Sequence, residues 1–154
     1  MTEPLRILVA DDNEDAAEAL GLLLGFHGYE VRLARDGREA LDAARAWEPD
    51  AVLLDLEMPV MNGFVAAQAI REQTEVPVLV ALSGWGGAEV EQGAKSAGFD
   101  LVFCKGVAFD ELAEALERNV AERHAHLPPG GRPVRPARWQ AAGPPIDRSW
   151  PSRA

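Results

Sequence analysis

The sequence predicts an α/β fold in which a parallel five-stranded sheet carries helices on both faces. Along residues 1–123, short apolar runs alternate with segments in which apolar side chains recur at helical spacing. The apolar runs do not alternate with polar residues, as is typical of parallel strands that are buried on both sides. Five successive strand–helix units therefore indicate a doubly wound sheet with right-handed crossovers.

Each predicted element is bounded by residues that start or stop regular structure. The predicted strands cover residues 5–10, 29–34, 51–54, 76–82 and 100–104. The predicted helices cover residues 13–26, 38–47, 63–72, 88–97 and 107–123. Gly28 follows the first helix and Pro49 follows the second, as expected where helices end. Leu112, Leu116 and Val120 mark the buried stripe of the last helix.

The last part of the chain differs in composition. Residues 1–123 are predicted to form one domain, and residues 124–154 a tail rich in proline and arginine. Pairs such as Pro128-Pro129 and Pro144-Pro145 disfavour helix and strand, so this tail is predicted to be disordered or extended. It is too short and too rich in proline to form a DNA-binding output domain.

Charge and hydropathy exclude several classes of function. The chain carries a net charge of −10, but the part from Arg132 onward has five arginines and one acid, which leaves −14 on the rest. A domain this acidic repels phosphate backbones, so direct nucleic-acid binding is not expected. No apolar run approaches the roughly 20 residues that span a membrane, and no signal segment precedes residue 5. A single cysteine gives no disulfide framework, and the expected location is the cytoplasm.

Polar residues follow four of the predicted strands. Asp11 and Asp12 follow the first, Asp55 the third, Ser83 the fourth and Lys105 the fifth. The carboxyl ends of parallel strands share one edge, where ligands bind in such sheets. Three carboxylates repel one another unless a cation joins them, and an all-oxygen set favours Mg²⁺ or Mn²⁺ over zinc. An aspartate can accept a phosphoryl group covalently, with a lysine and a hydroxyl stabilising its oxygens.

Each of these residues also has an ordinary structural interpretation. Asp11 and Asp12 could cap the helix that follows them. Ser83 could be a turn residue, and Lys105 could be a solvated surface lysine. The coincidence of all four positions with strand ends favours a common site over four unrelated roles.

In several stretches the sequence resembles the receiver domain of two-component response regulators. The resemblance rests on ILVADDN at residues 7–13, ARDGREAL at 34–41, PDAVLLDLEMPVMNG at 49–63, ALSG at 81–84, AGFD at 97–100 and CK at 104–105. These stretches occur in the order and at the spacing of that family, from residue 5 to about residue 123. The resemblance implies a flavodoxin-like (βα)5 fold with strand order 2-1-3-4-5.

The resemblance also implies a role for each residue of the site. Asp55 would be the phosphoacceptor. Asp12 would bind Mg²⁺ directly, Asp11 would bind it mainly through water, and the backbone carbonyl of Glu57 would be a further ligand. The serine and lysine at the strand ends would contact the phosphoryl group, Ser83 by moving toward it.

The partners implied by the resemblance are proteins. The phosphoryl donor would be a phosphohistidine on a histidine kinase or a histidine phosphotransfer protein. The phosphorylated domain would signal to an unknown protein target through the region of the fourth helix, fifth strand and fifth helix, and it could form a homodimer. It would catalyse its own phosphorylation and dephosphorylation without turning over another substrate. It could be a stand-alone regulator or the receiver of a hybrid histidine kinase.

Three departures from the family pattern leave alternatives open. Gly106 stands where the family usually has a proline after the lysine, so the Lys105–Gly106 bond is predicted to be trans. Val102 occupies the usual position of an aromatic switch residue. Trp85 and Glu57 are predicted to line the rim of the site. One alternative is therefore a receiver-like scaffold that does not switch by phosphorylation. A phosphatase with an aspartate nucleophile is disfavoured, because its second aspartate is expected two residues after the nucleophile on the first strand, whereas Asp55-Leu56-Glu57 follows the third.

Overall fold

A parallel β-sheet with helices on both faces forms the described part of the chain. The structure, a computed structural model, describes residues 4–126 and 146–147. The strands are β1 (Arg6–Ala10), β2 (Glu30–Ala34), β3 (Ala51–Asp55), β4 (Val78–Ser83), β5 (Leu101–Cys104) and β6 (Ile146–Asp147). The helices are α1 (Glu14–Phe26), α2 (Gly37–Trp47), α3 (Gly63–Gln73), α4 (Ala88–Ala97) and α5 (Phe109–His126).

The order of the strands confirms the predicted topology. The first five strands follow the order β2-β1-β3-β4-β5, and all neighbours are parallel. Ala10 is in register with Leu54, and Asp55 with Leu82, so the ends of β1, β3 and β4 lie side by side. The sixth strand, β6, has only two residues and adds to the outer side of β2.

The core has two layers, one on each side of the sheet. Alternate residues of the central strands, such as Leu8 and Val52, pack with α2, α3 and α4. Their neighbours, such as Ile7 and Leu53, pack with α1 and α5. These side chains are at most 1 % exposed. Burial on both faces explains why the strands are uniformly apolar in the sequence.

The amino end of the sheet is held by a buried charged network. Arg6 is 1 % exposed, and its guanidinium donates a hydrogen bond of 2.8 Å to the carbonyl of Trp47. Its backbone N–H donates to the Asp50 carboxylate at 2.9 Å. Because this network lies at the end of the sheet opposite to the strand-end acids, it fixes β1 and β3 relative to each other without entering the site.

The last helix is longer than the sequence indicated. It ends at His126 rather than at residue 123, because side chains of its last turns bind the amino end of the sheet. Arg123 donates to the carbonyl of Glu75 at 3.1 Å and forms an ion pair with Asp100. His124 lies 3.3 Å from the Asp50 carboxylate.

Other boundaries differ from the predictions by a few residues. β4 begins at Val78, since Pro77 has no N–H to donate to a neighbouring strand. Asn13 precedes α1 as its N-cap. Within the tail, which the sequence predicted to be disordered or extended, residues 127–145 and 148–154 lie outside the described residues. None of the helices in the described ranges has the length and apolarity needed to cross a membrane.

Candidate functional site

Three carboxylates meet at the carboxyl end of the sheet. Asp11, Asp12 and Asp55 each place one oxygen within 4.8 Å of the others. Asp11 and Asp55 are buried, at 6 % and 2 % exposure, whereas Asp12 is partly exposed. The cluster forms because β1 and β3 are neighbours in the sheet and both end at this edge. The structure thus brings together the three acids that the sequence indicated.

Asp11 is fixed by backbone contacts and carries a perturbed pKa. Its N–H donates to the carbonyl of Ala34 at 3.1 Å, and its Oδ1 accepts from the N–H of Asn13 at 2.9 Å. The pKa of Asp11 is raised from its ordinary 3.8 to about 6, mainly by burial and also by the nearby Asp55 charge. The hydrogen bond from Asn13 works in the opposite direction. The charged form of the Asp11 carboxylate is therefore disfavoured in the folded protein.

Asp55 is held by one hydrogen bond from the backbone and one from a lysine. The N–H of Glu57 donates to its Oδ1 at 3.0 Å, and Lys105 Nζ donates to its Oδ2 at 2.9 Å. Lys105 Nζ also lies 3.7 Å from Asp11 Oδ2. Burial lowers the pKa of Lys105, but its hydrogen bond to Asp55 and the charges of the three acids outweigh burial and raise it. Lys105 is therefore a charged partner of Asp55.

The loop after β5 positions this lysine without a proline. The N–H of Lys105 donates to the carbonyl of Ser83 at 2.7 Å, which extends the pairing of β4 and β5 by one step. No peptide bond in the described residues is cis, so the Lys105–Gly106 bond is trans, as predicted. Gly106 has φ = 95°, a conformation that glycine adopts readily. Gly106 therefore forms a turn that a proline at this position could not form, because proline has a fixed negative φ.

Ser83 is buried beside this edge, but its hydroxyl takes part in a local turn. It donates to the carbonyl of Trp85 at 2.7 Å and accepts from the N–H of Trp85 at 3.0 Å. Ser83 is 3 % exposed, whereas the Trp85 side chain is 69 % exposed. The turn interpretation therefore describes the hydroxyl in this conformation, and the largely exposed Trp85 lies in the same turn.

The loop between β3 and α3 brings the start of α3 into close contact with the end of β3. A Cβ added to Gly63 would lie 2.4 Å from the carbonyl oxygen of Asp55, so only glycine fits against the end of β3. Val60 has φ = 67°, which is strained for a β-branched residue, and it is 86 % exposed. Met61 N–H bonds to Pro59 O at 2.7 Å across this strained residue. The Asn62-Gly63 pair was the one signal that could have indicated a tight approach here.

The residues present fit a hard divalent cation. All three acids offer oxygen ligands, which Mg²⁺ prefers. Lys105 supplies one positive charge against three carboxylates. A divalent cation would offset the remaining repulsion among the three carboxylates. It would also favour the charged form of Asp11, whose pKa is raised in its absence.

A doubly wound sheet with acids at the ends of β1 and β3 and a lysine after β5 is the arrangement of receiver domains. The family model for the response regulator receiver domain matches residues 7–117. The chain therefore belongs to the family of response regulator receiver domains, as its sequence motifs predicted.

Relatives agree with this assignment. The chain is 41 % identical over 110 residues to the response regulator MprA of Mycolicibacterium vanbaalenii, an alignment that covers 71 % of this chain and 47 % of that protein. It is 37 % identical over 97 residues to the DNA-binding response regulator MtrA of Mycolicibacterium smegmatis, with 63 % and 42 % covered. The chain thus spans about half the length of the curated relatives it matches.

Solved structures show the same fold. The chemotaxis protein CheY4 of Vibrio cholerae matches with a TM-score of 0.71 and 31 % identity, over 75 % of this chain and 98 % of that one. A CheY-like receiver domain from Methanospirillum hungatei matches with a TM-score of 0.75 and 24 % identity, over 79 % and 98 %. The predicted flavodoxin-like topology is therefore confirmed.

Proposed function

We propose that this domain is a phosphorylation-dependent switch of a two-component phosphorelay in which Asp55 accepts the phosphoryl group. One observation carries the proposal: the buried Asp55 carboxylate lies 2.9 Å from Lys105 Nζ and within a cluster of three acids. A merely structural aspartate would not need two further carboxylates beside it, since they disfavour its charge. The membership of the receiver family supports the same function.

Asp11, Asp12 and the Glu57 carbonyl are the proposed ligands of Mg²⁺ beside the acceptor. The hydrogen bond from the Glu57 N–H to Asp55 keeps the Glu57 backbone, whose carbonyl is the proposed ligand, close to Asp55. When bound, Mg²⁺ supplies charge neutralisation, both for the carboxylates and for the phosphoryl oxygens. We propose that Asp12 binds the ion directly and that Asp11 binds it mainly through water.

In the proposed transfer, a carboxylate oxygen of Asp55 attacks the phosphorus of a phosphohistidine. The new bond is between this oxygen and phosphorus, and the phosphorus–nitrogen bond breaks with its electron pair left on the imidazole. Lys105 exchanges part of its contact with Asp55 for a phosphoryl oxygen and stabilises the charge there. Glu57 and Trp85, at the rim, influence the access of the water that later hydrolyses the acyl phosphate.

Ser83 has to change partners to take part. Its hydroxyl now bonds to both backbone groups of Trp85. A turn of this hydroxyl toward the phosphoryl group would break both bonds and release the loop that contains Gly84, Gly86 and Gly87. We infer that the signal leaves the site through this loop, since Val102 cannot act as an aromatic switch.

The proposed partners are a histidine kinase or histidine phosphotransfer protein and a downstream protein target. The acidic character of the domain favours protein contacts over direct nucleic-acid contacts. DNA binding is named for a relative of which this chain covers 42 %, and it is not part of the function proposed here. A cytoplasmic location and a possible homodimer complete the proposal.

A scaffold that does not switch is the second candidate. It is favoured by the hydroxyl of Ser83, which is engaged in its own turn, and by Gly106 in place of proline. The acid cluster argues for the switch, because a scaffold gains no stability from buried acids that repel one another.

The deciding experiment is the intact mass of the protein after incubation with a small phosphodonor and Mg²⁺. Wild type is expected to gain one phosphoryl group only when Mg²⁺ is present. Asp55→Asn is expected to gain none, and Asp42→Asn, which changes an exposed acid of α2, is expected to behave like wild type. If wild type gains no mass, even with a phosphorylated histidine protein as donor, the scaffold is the correct interpretation.

A further inference from the structure

The outer side of β2 carries a segment from the end of the chain. β6 pairs with β2 in parallel, with Ile146 opposite Val31 and Asp147 opposite Arg32. Without β6, the outer N–H and C=O groups of β2 would form an open edge. β6 also lies next to α1. This side of the domain is thus where the C-terminal segment meets the sheet.

The outer face of α1 is unusually apolar. Leu22, Leu23 and Phe26 are 38 %, 49 % and 85 % exposed. Single exposed apolar residues are common, but three large ones within five positions of one helix mark an interaction surface.

The angular positions of these side chains relate the outer face of α1 to β6. Gly21 faces β2, because a Cβ added there would lie 3.2 Å from the side chain of Leu33. At 3.6 residues per turn, Leu22 lies about 100° and Phe26 about 140° around the helix from Gly21, whereas Leu24 lies about 60° in the other direction. Leu24 is buried in the cluster that α1 shares with α5. Leu22 therefore lies on the side of α1 away from α5, where β6 lies, and Phe26 points outward beside it, opposite the buried face of the helix.

We propose that the β2 edge and the outer face of α1 (Leu22, Leu23 and Phe26) form one docking surface for the chain's own C-terminal segment around Ile146–Asp147. The 19 residues 127–145 separate α5 from β6. They span up to roughly 60 Å, well beyond the roughly 24 Å width of a five-stranded sheet. The chain can therefore reach its own β2.

Charge also favours this occupant. The chain from Arg132 onward carries five arginines and one acid, whereas the rest of the chain carries −14. The first turn of α1 adds Glu14 and Asp15 on this side of the domain. Opposite charge attracts the segment, and strand pairing fixes its register. A partner that uses this side of the domain must displace the segment.

Hydrogen–deuterium exchange of the full-length chain tests the strand pairing. Only alternate residues of a parallel strand donate to a given neighbour, so one of Ile146 and Asp147 is expected to donate to β2. Ile146→Pro and Asp147→Pro are therefore each compared with wild type. At least one of them is expected to speed exchange of the outward amides of β2 about tenfold or more. Ala142→Pro, elsewhere in the same tail, is expected to leave them unchanged. Unchanged exchange in β3 and β4 verifies that each variant is folded.

A second pair of variants tests the contribution of α1. Phe26→Asp is expected to speed exchange of the same β2 amides, whereas Val65→Asp, an exposed apolar residue of α3, is expected to have no effect. The proposal is overturned if both proline variants exchange like wild type. It is also overturned if light scattering finds a dimer whose β2 protection is lost on dilution, because the occupant would then be the tail of a second copy. Wild-type exchange in Phe26→Asp would remove α1 from the docking surface.

Discussion

Replacing Asp11 by asparagine should stabilise the metal-free protein, because it removes a buried negative charge from the acid cluster. Asp11 is 6 % exposed, and its nearest cation, Lys105 Nζ, lies 3.7 Å away and is closer to Asp55. Asparagine keeps the oxygen that accepts the Asn13 N–H. The substitution therefore changes charge with little change in shape.

The size of the effect follows from the raised pKa of Asp11. A carboxyl whose pKa is raised on folding stabilises the folded state fully below the unfolded pKa, and this contribution is lost as pH rises through the folded pKa. The rise from 3.8 to about 6 corresponds to about 3 kcal/mol at about 1.4 kcal/mol per pKa unit. Because one side of the cluster opens to water and Lys105 is itself partly exposed, we expect about 1–2 kcal/mol.

Thermal unfolding followed by circular dichroism measures this effect. In EDTA at pH 7.5, Asp11→Asn is expected to raise Tm by about 3–8 °C, and the difference from wild type should shrink toward pH 4. Added Mg²⁺ should stabilise wild type much more than the variant. Asp42→Asn, which changes an acid of an exposed ion pair on α2, should lower Tm slightly or not at all. A variant less stable than wild type in EDTA, or a gain that does not depend on pH, would refute the reasoning.

Two further predictions concern the loop between β3 and α3, next to Asp55. Val60→Asn should raise the free energy of unfolding in urea by about 0.5–1 kcal/mol, because asparagine tolerates the left-handed backbone at φ = 67° better than valine; no gain would mean that the strain is relieved elsewhere. Gly63→Ala should lower it by more than about 2 kcal/mol, since the new methyl group would lie 2.4 Å from the Asp55 carbonyl oxygen. Gly84→Ala is the matched control, because a Cβ there meets nothing within 4 Å, and equal effects of the two alanines would contradict the steric argument.

The sheet and the acid cluster could be predicted from the sequence, because both depend on patterns that tolerate small errors in the boundaries of the elements. Uniformly apolar strands require burial on both faces, and strand ends then place Asp11 and Asp55 side by side whatever the boundaries of the helices. The end of α5 could not be predicted in this way. It depends on Arg123 and His124, which bind acids 23 and 74 residues earlier in the chain.

Two other features escaped prediction for local reasons. The pairing of Ile146–Asp147 with β2 is a contact between distant segments, and a two-residue strand has no periodicity to detect. The strain at Val60 could not be predicted, because valine is a poor residue for a left-handed turn and does not indicate such a turn in the sequence.

The hydroxyl of Ser83 links these structural findings to signalling. A serine at the end of a buried strand can bond either to its own turn or to a ligand at the sheet edge, and its hydroxyl has one proton to donate. Here that proton goes to Trp85, whose side chain is 69 % exposed. Any ligand that takes the proton of Ser83 must therefore free the carbonyl of Trp85. The two glycines after Trp85 lower the cost of rearranging the loop because they tolerate many backbone conformations. In this domain Ser83 at the edge of the sheet is thus bonded directly to an exposed tryptophan on the loop before α4, whereas the usual switch position holds Val102, which has no aromatic ring.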